Sequence, residues 1–167
     1  RRLAGADIPI HVFPGPSPDT SPGESPARRP RVAWLGSPST FGFLDGAFMA
    51  AAATLADEGF QFRLVGSELD AGEGEPVQQQ VWSPQRQDEL LLWASVGVMP
   101  IRWDDWSERK AAYKILEYLS SGLVPVAMHS PAIDLLLGSE RDMLGVFLAD
   151  QSQRAWEQGL RRAVVLE

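Results

Sequence analysis

The chain has 167 residues, no cysteine, two histidines and a formal net charge of -7. That length supports one ordinary domain with some extra chain, able to bury about 70% of its unfolded surface without covalent staples. Disulfides are excluded, a zinc site resting on His11 and His129 alone is not expected, and the acidic balance argues against a general nucleic-acid surface.

Residues 1–13 contain a short apolar piece, Ile8 to Phe13, too small to carry its own core and readable as the end of a preceding domain or tail. Residues 14–30 follow with Pro14, Pro16, Pro18, Pro22, Pro26 and Pro30 among Gly, Ser and charged residues, the composition of an extended linker. From residue 31 to 167 the pattern is that of a single folded unit. No apolar run approaches the roughly 20 residues of a membrane span. Residues 1–30 lack the charged-then-apolar order of a secretory signal, so the expected location is cytoplasmic, or peripheral at a membrane surface.

Arg31 to Leu35 predicts a buried strand, Gly36 to Thr40 a turn, and Gly42 to Asp57 a helix with Leu44, Phe48, Ala51, Ala52 and Leu55 on one face. Phe60 to Val65 is the next strand, and a Gly- and Glu-rich loop from Ser67 to Pro76 leads to Val81 and Trp82. Ser83 and Pro84 supply an N-cap and a first-turn proline for a helix through Ala94. Residues 95–101 and 123–128 are short apolar runs that suit strands buried on both faces. A helix from Ala132 to Leu137, a strand from Leu144 to Leu148 and a helix from Ser152 to Leu166 complete the pattern. Strands alternating with helices predict an α/β, Rossmann-like fold: a parallel sheet with helices on both faces.

The segment between the two apolar runs carries the most chemistry. From Arg109 to Ser121, Ala112, Ile115, Leu116 and Leu119 recur at helical spacing and are expected to face the core. Lys110, Lys114 and Glu117 share a stripe on the opposite side, and Gly122 follows where a helix stop favours glycine. An ordinary solvated face of Lys–Glu pairs accounts for this stripe. So does a ligand site, because the helix opens after the carboxyl end of a buried strand, where ligands of open α/β sheets bind. There a lysine pair holds phosphates, and a carboxylate accepts two ribose hydroxyl hydrogen bonds.

Three ordered stretches resemble the donor-binding, C-terminal half of retaining GT-B glycosyltransferases of family 4. They are Trp34-Leu35-Gly36-Ser37-Pro38-Ser39-Thr40 with Phe62-Arg63-Leu64-Val65-Gly66, Trp82 with Asp88-Glu89-Leu90 and the Val96–Ile101 strand, and Lys110 to Val126. The resemblance covers about residues 31–166. It implies binding of a nucleotide-sugar, UDP- or GDP-linked, as substrate, with no metal and no other cofactor. It also implies transfer of the sugar with retention to an acceptor hydroxyl of a glycan, lipid or small molecule held by an N-terminal domain, as in carbohydrate biosynthesis. Without that domain little or no transfer is expected.

Carried over by position, Gly36, Ser37, Ser39 and Thr40 form the turn that meets the donor diphosphate, although a plain strand-to-helix turn capped by Ser or Thr fits the same residues. Val81 and Trp82 fall where the nucleotide base is seated, with a core tryptophan as the competing reading. Lys110 and Lys114 are assigned to the leaving group, with Arg102 as another candidate to meet the phosphate charge, Glu117 to the ribose, and Ala111 to Tyr113 to the sugar and phosphate. Trp103 and Trp106, with Asp104 and Asp105, sit in a loop that either touches the sugar or is anchored at the surface.

The sequence departs from the family at three places. Arg109 replaces the first glutamate of the usual pair, the Gly36–Thr40 turn has no basic residue, and Ser130-Pro131-Ala132 replaces a glycine-rich turn. These departures keep a second possibility open: a non-enzymatic module with the same fold and a degenerate site. A flavodoxin-like or receiver domain would want carboxylates at the end of the first strand, and residues 36–40 have none.

Overall fold

The computed structural model describes residues 30–101 and 113–166. Six strands, β1 (Arg31–Leu35), β2 (Gln61–Ser67), β3 (Val77–Val81), β4 (Val96–Met99), β5 (Val124–Met128) and β6 (Val146–Leu148), form one sheet in the order β3-β2-β1-β4-β5-β6. Every pairing between these neighbours is parallel. The central strands are continuous apolar runs because each side chain, whichever way it points, enters a core.

Alternation divides the sheet. Val32 and Trp34 of β1, Phe62 and Leu64 of β2 and Val126 and Met128 of β5 pack on one face against α2 (Gly46–Asp57) and α7 (Gln153–Leu166). Phe48 of α2 meets Trp156 of α7 edge to face at 5.2 Å between ring centroids, and both are fully buried. Ala33, Leu35 and Val65 point to the other face, toward Leu90 and Leu91 of α3 (Pro84–Trp93) and Tyr118 of α4 (Tyr113–Ser120). Ile115 of α4, Ala127 of β5 and Ile133 of α5 (Pro131–Leu137) make a smaller cluster beside it. Helices on both faces of a parallel sheet make this a Rossmann-like α/β domain.

Four details differ from the sequence expectation. The helix expected from Gly42 begins only at Gly46, capped by Asp45, whose Oδ1 accepts from the Phe48 N–H at 3.0 Å, and the turn expected before it contains a separate helical turn, α1 (Pro38–Phe41). Strand β3 was not expected; its Val-Gln-Gln-Gln-Val sequence occupies a sheet edge and is half-buried or exposed, so it carries no apolar signal. The last strand is shorter, with a helical turn α6 (Arg141–Leu144) before it. On α4 the buried face is shifted from the one predicted: Ile115 is buried as expected and Leu119 is half-buried against its cluster, but Glu117 and Tyr118 are buried too, while Leu116 is half-buried. Ala112 lies outside the described residues.

Candidate functional site

Between β1 and β4 the strand order reverses, and there the two strands part. Their ladder pairs Val32 with Val96 and Ala33 with Gly97, and beyond that point the Tyr118 side chain enters from α4. Its hydroxyl accepts from the Leu35 N–H and donates to the Val98 carbonyl, both at 3.2 Å. The tyrosine thus replaces the next rung of the sheet. Burial, opposed in part by the Leu35 N–H bond, raises its pKa well above the usual phenol range.

Past the carboxyl ends of these strands lies a cavity of about 370 Å3, within the span of roughly 300–1,000 Å3 common for small-molecule sites. One wall is Leu35, Gly36, Ser37 and Thr40, from the end of β1 and the start of α1. Met99, Pro100 and Ile101 continue β4 along its floor, and Ser130 enters after β5. Tyr113 and Lys114 from α4, with Trp82 before α3, close the remaining side.

The Gly36–Thr40 turn is internally bonded. The Gly36 N–H donates to the Val65 carbonyl at 3.0 Å, and the Ser37 N–H donates to Thr40 Oγ1 at 3.1 Å. Ser37 Oγ lies 2.9 Å from Ser39 Oγ and 3.2 Å from Thr40 Oγ1. Ser37 and Thr40 line the cavity; Ser39, bonded to Ser37 through its hydroxyl, is outside the lining. Glycine is needed at residue 36 because a Cβ there would collide with the ring of Trp34 and approach Thr40 Oγ1 to 2.9 Å.

Val81 and Trp82 behave differently from each other. The Val81 N–H donates to Asp70 Oδ1 at 2.7 Å and its carbonyl accepts from Arg86 Nη1 at 2.9 Å, so both backbone groups are engaged, and Val81 is not part of the cavity lining. Arg86 also grips Asp70 through both carboxylate oxygens at 2.8 Å. Those bonds, first from Arg86 and then from the Val81 N–H, hold the Asp70 carboxyl below the usual range. Trp82 is 47% exposed and lines the cavity, so it is not a core tryptophan.

Its indole Nε1–H donates to Gln87 Oε1 at 2.9 Å, Gln87 Nε2 donates to Glu117 Oε1 at 2.8 Å, and Lys114 Nζ donates to Glu117 Oε2 at 2.7 Å. Four side chains from α3, α4 and the turn between them and the sheet form one chain of hydrogen bonds. Glu117 is therefore not on a solvated stripe: its residue is 3% exposed, beneath Lys114 and Gln87, and it does not line the cavity. A buried carboxylate is tolerated because a cation and an amide satisfy it.

Among the described lining residues, Lys114 carries the positive charge. Lys110, Arg109, Arg102, Ala111 and the Trp103–Trp106 loop lie outside the described residues. His129 is on the surface, with Nε2 2.9 Å from Asp134 Oδ2, and is not among the cavity residues. No group of three or more His, Asp or Glu side chains suited to a metal occurs among the described residues, and no described helix is long and apolar enough to cross a membrane.

Sequence reasoning missed Gln87, Tyr118 and the Asp70–Arg86 clamp, whose roles depend on which strand and helix meet and leave no periodic trace in the chain. No protein-family model matches the chain, and no curated protein sequence matches it.

Proposed function

We propose that this domain binds a nucleotide-sugar and serves as the donor half of a retaining glycosyltransferase of the GT-B type. The observation that carries the reading is the cavity at the reversal of strand order, where Lys114 shares a pocket with the Gly36–Thr40 turn, Tyr113 and Trp82. In open α/β sheets ligands bind at that crevice. A diphosphate would lie between the turn and Lys114, the exposed indole of Trp82 would offer an aromatic face to the base, and Glu117 would receive the ribose hydroxyls.

The work of such a site is electrostatic and positional: Lys114, together with Lys110, stabilises charge on the departing diphosphate while the sugar is held for an acceptor. In the GT-B arrangement the acceptor belongs to a separate α/β domain, so residues 31–167 alone are proposed to bind donor with little or no turnover.

Titration calorimetry with UDP, GDP and ADP tests the reading. Binding of one of them, weakened by about 1–3 kcal/mol in Lys114→Ala and in Glu117→Ala, is the expected outcome. One observation favours a second reading, a binding module without transferase chemistry: both Glu117 oxygens already have protein partners and the residue is 3% exposed. A folded sample that gives no heat with any of the three nucleotides selects that alternative.

A further inference from the structure

We infer that Lys114 is a specificity-determining residue that admits the ribose of a nucleotide to Glu117 only when a diphosphate accompanies it. The inference rests on the donor-site reading and deepens it. Lys114 borders the cavity with its side chain 33% exposed, while the carboxylate it holds is 3% exposed and stands behind it. Its ammonium is 2.7 Å from Glu117 Oε2, and Gln87 occupies Oε1 at 2.8 Å. A ribose approaching from the cavity therefore meets Lys114 first, and Oε2 opens only when the ammonium leaves.

What makes the ammonium leave decides the specificity. A nucleoside alone brings hydroxyl donors for the carboxylate but nothing for the displaced cation, which would give up a close ion pair to a buried partner and gain only water. A diphosphate supplies several anionic oxygens within the same cavity, and the lysine stem is long and flexible enough to turn toward them. The exchange is then balanced: the ammonium passes from carboxylate to phosphate, and ribose hydroxyls take over the carboxylate, with Gln87 holding Oε1 throughout. Phosphate and ribose are coupled through one side chain, and by linkage each must raise the affinity for the other by the same factor.

The test uses the folded chain and calorimetry with uridine and UDP, guanosine and GDP, and adenosine and ADP, followed by titration of each nucleoside with inorganic diphosphate present at saturation. For the base whose diphosphate binds, inorganic diphosphate should tighten the nucleoside by roughly fivefold or more, a typical lower bound for coupling between sites. Lys114→Met should shift the two ligands in opposite directions, weakening the nucleoside diphosphate and tightening the nucleoside. A structural defect would weaken both. If the variant does not fold, the wild-type coupling measurement decides by itself. A nucleoside diphosphate that binds while the nucleoside is indifferent to inorganic diphosphate overturns the role of Lys114 and leaves the donor site standing. If none of the three nucleoside diphosphates binds, both inferences fall.

Discussion

The ring of Tyr118 occupies the space directly over Gly97: a Cβ placed on that glycine would collide with Cγ and with both Cδ atoms of the ring, the more distant Cδ only 2.6 Å away. The glycine clears a path for the tyrosine to cross β4 and bring its hydroxyl between Leu35 and Val98. The ring cannot yield easily, since it is fully buried and tied at its far end to two strands. Gly97→Ala is expected to destabilise the fold by about 1–3 kcal/mol, the usual penalty of overpacking a rigid site. Urea unfolding monitored by circular dichroism reads this directly. A variant as stable as wild type would mean that the ring and the strand do not have this fixed relation.

The same hydroxyl ties stability to alkaline pH. Its pKa is raised in the folded state, first by burial, so the neutral phenol is favoured when folded. Below the ordinary phenol value of about 10 both states hold the proton and the contribution is complete. As pH rises above that value the unfolded chain releases the proton first, and stability declines until the folded pKa is passed. Tyr118→Phe should lower stability near neutrality by about 1–3 kcal/mol, because the Leu35 N–H and Val98 carbonyl lose their partner, and should flatten the decline above pH 10. Parallel wild-type and variant curves in that range would refute the linkage.

At the acid end the sign reverses. Asp70 has a depressed pKa, caused first by hydrogen bonding to Arg86 and then by the Val81 N–H. Its contribution is present above the ordinary carboxylate pKa and is lost as pH falls through the lower, folded value. Asp70→Asn should therefore be less stable than wild type at neutral pH and converge with it in strong acid. Thermal melts from pH 7 down to the acid limb test this, and a constant offset across that range would exclude Asp70 as the titrating group.

The distinction between what the chain revealed and what it concealed follows burial. Runs such as Val124–Met128 and Arg31–Leu35 declared themselves because a central parallel strand is covered on both faces. β3 did not, since three successive glutamines on a sheet edge need no core to satisfy them. Lys114 and Glu117 could be paired from their spacing, and the Ile115 position is core as its periodicity required. That Glu117 is buried could not be read, because the cover comes from Gln87, thirty residues earlier on another helix. The start of α2 was missed as well: Asp45, its N-cap, lies inside the stretch from Gly42 that reads as one helix because Leu44 shares the apolar spacing of Phe48, Ala51 and Leu55.

Gln87 is the least conspicuous member of the site and has a measurable role without any ligand. Its two amide ends join an exposed indole to a buried carboxylate. Gln87→Leu removes one donor from Glu117 and the acceptor of the Trp82 Nε1–H, so a loss of about 1–2 kcal/mol is expected. The Trp82 indole proton should also exchange with solvent faster than in wild type. Nuclear magnetic resonance of the indole protons, assigned through Trp82→Phe, follows this, and an unchanged exchange rate would show that the bond does not restrain the ring.

Gly66 sets the shape of the cavity wall from the neighbouring strand. Pairing of β2 with β3 runs Val65 to Gln80 and then Ser67 to Val81, so Gly66 is the extra residue of a bulge. It sits at φ +124, a conformation that costs other residues about 1–3 kcal/mol, and a Cβ there would strike the carbonyl of Gly36 and lie 3.1 Å from the Ser37 nitrogen. The glycine is thus required twice, for the bend of its own strand and for the close approach of the Gly36–Ser37 turn. Two consequences follow from one substitution: Gly66→Ala should lower stability, and it should displace the turn that Ser37 and Thr40 contribute to the cavity. Nucleotide binding in this variant should fall further than in a surface glycine control such as Gly74→Ala, which also has a positive φ of +82 but has no atom near its missing Cβ. Equal binding in the two variants would mean that backbone strain, rather than the position of the Gly36 turn, accounts for the effect.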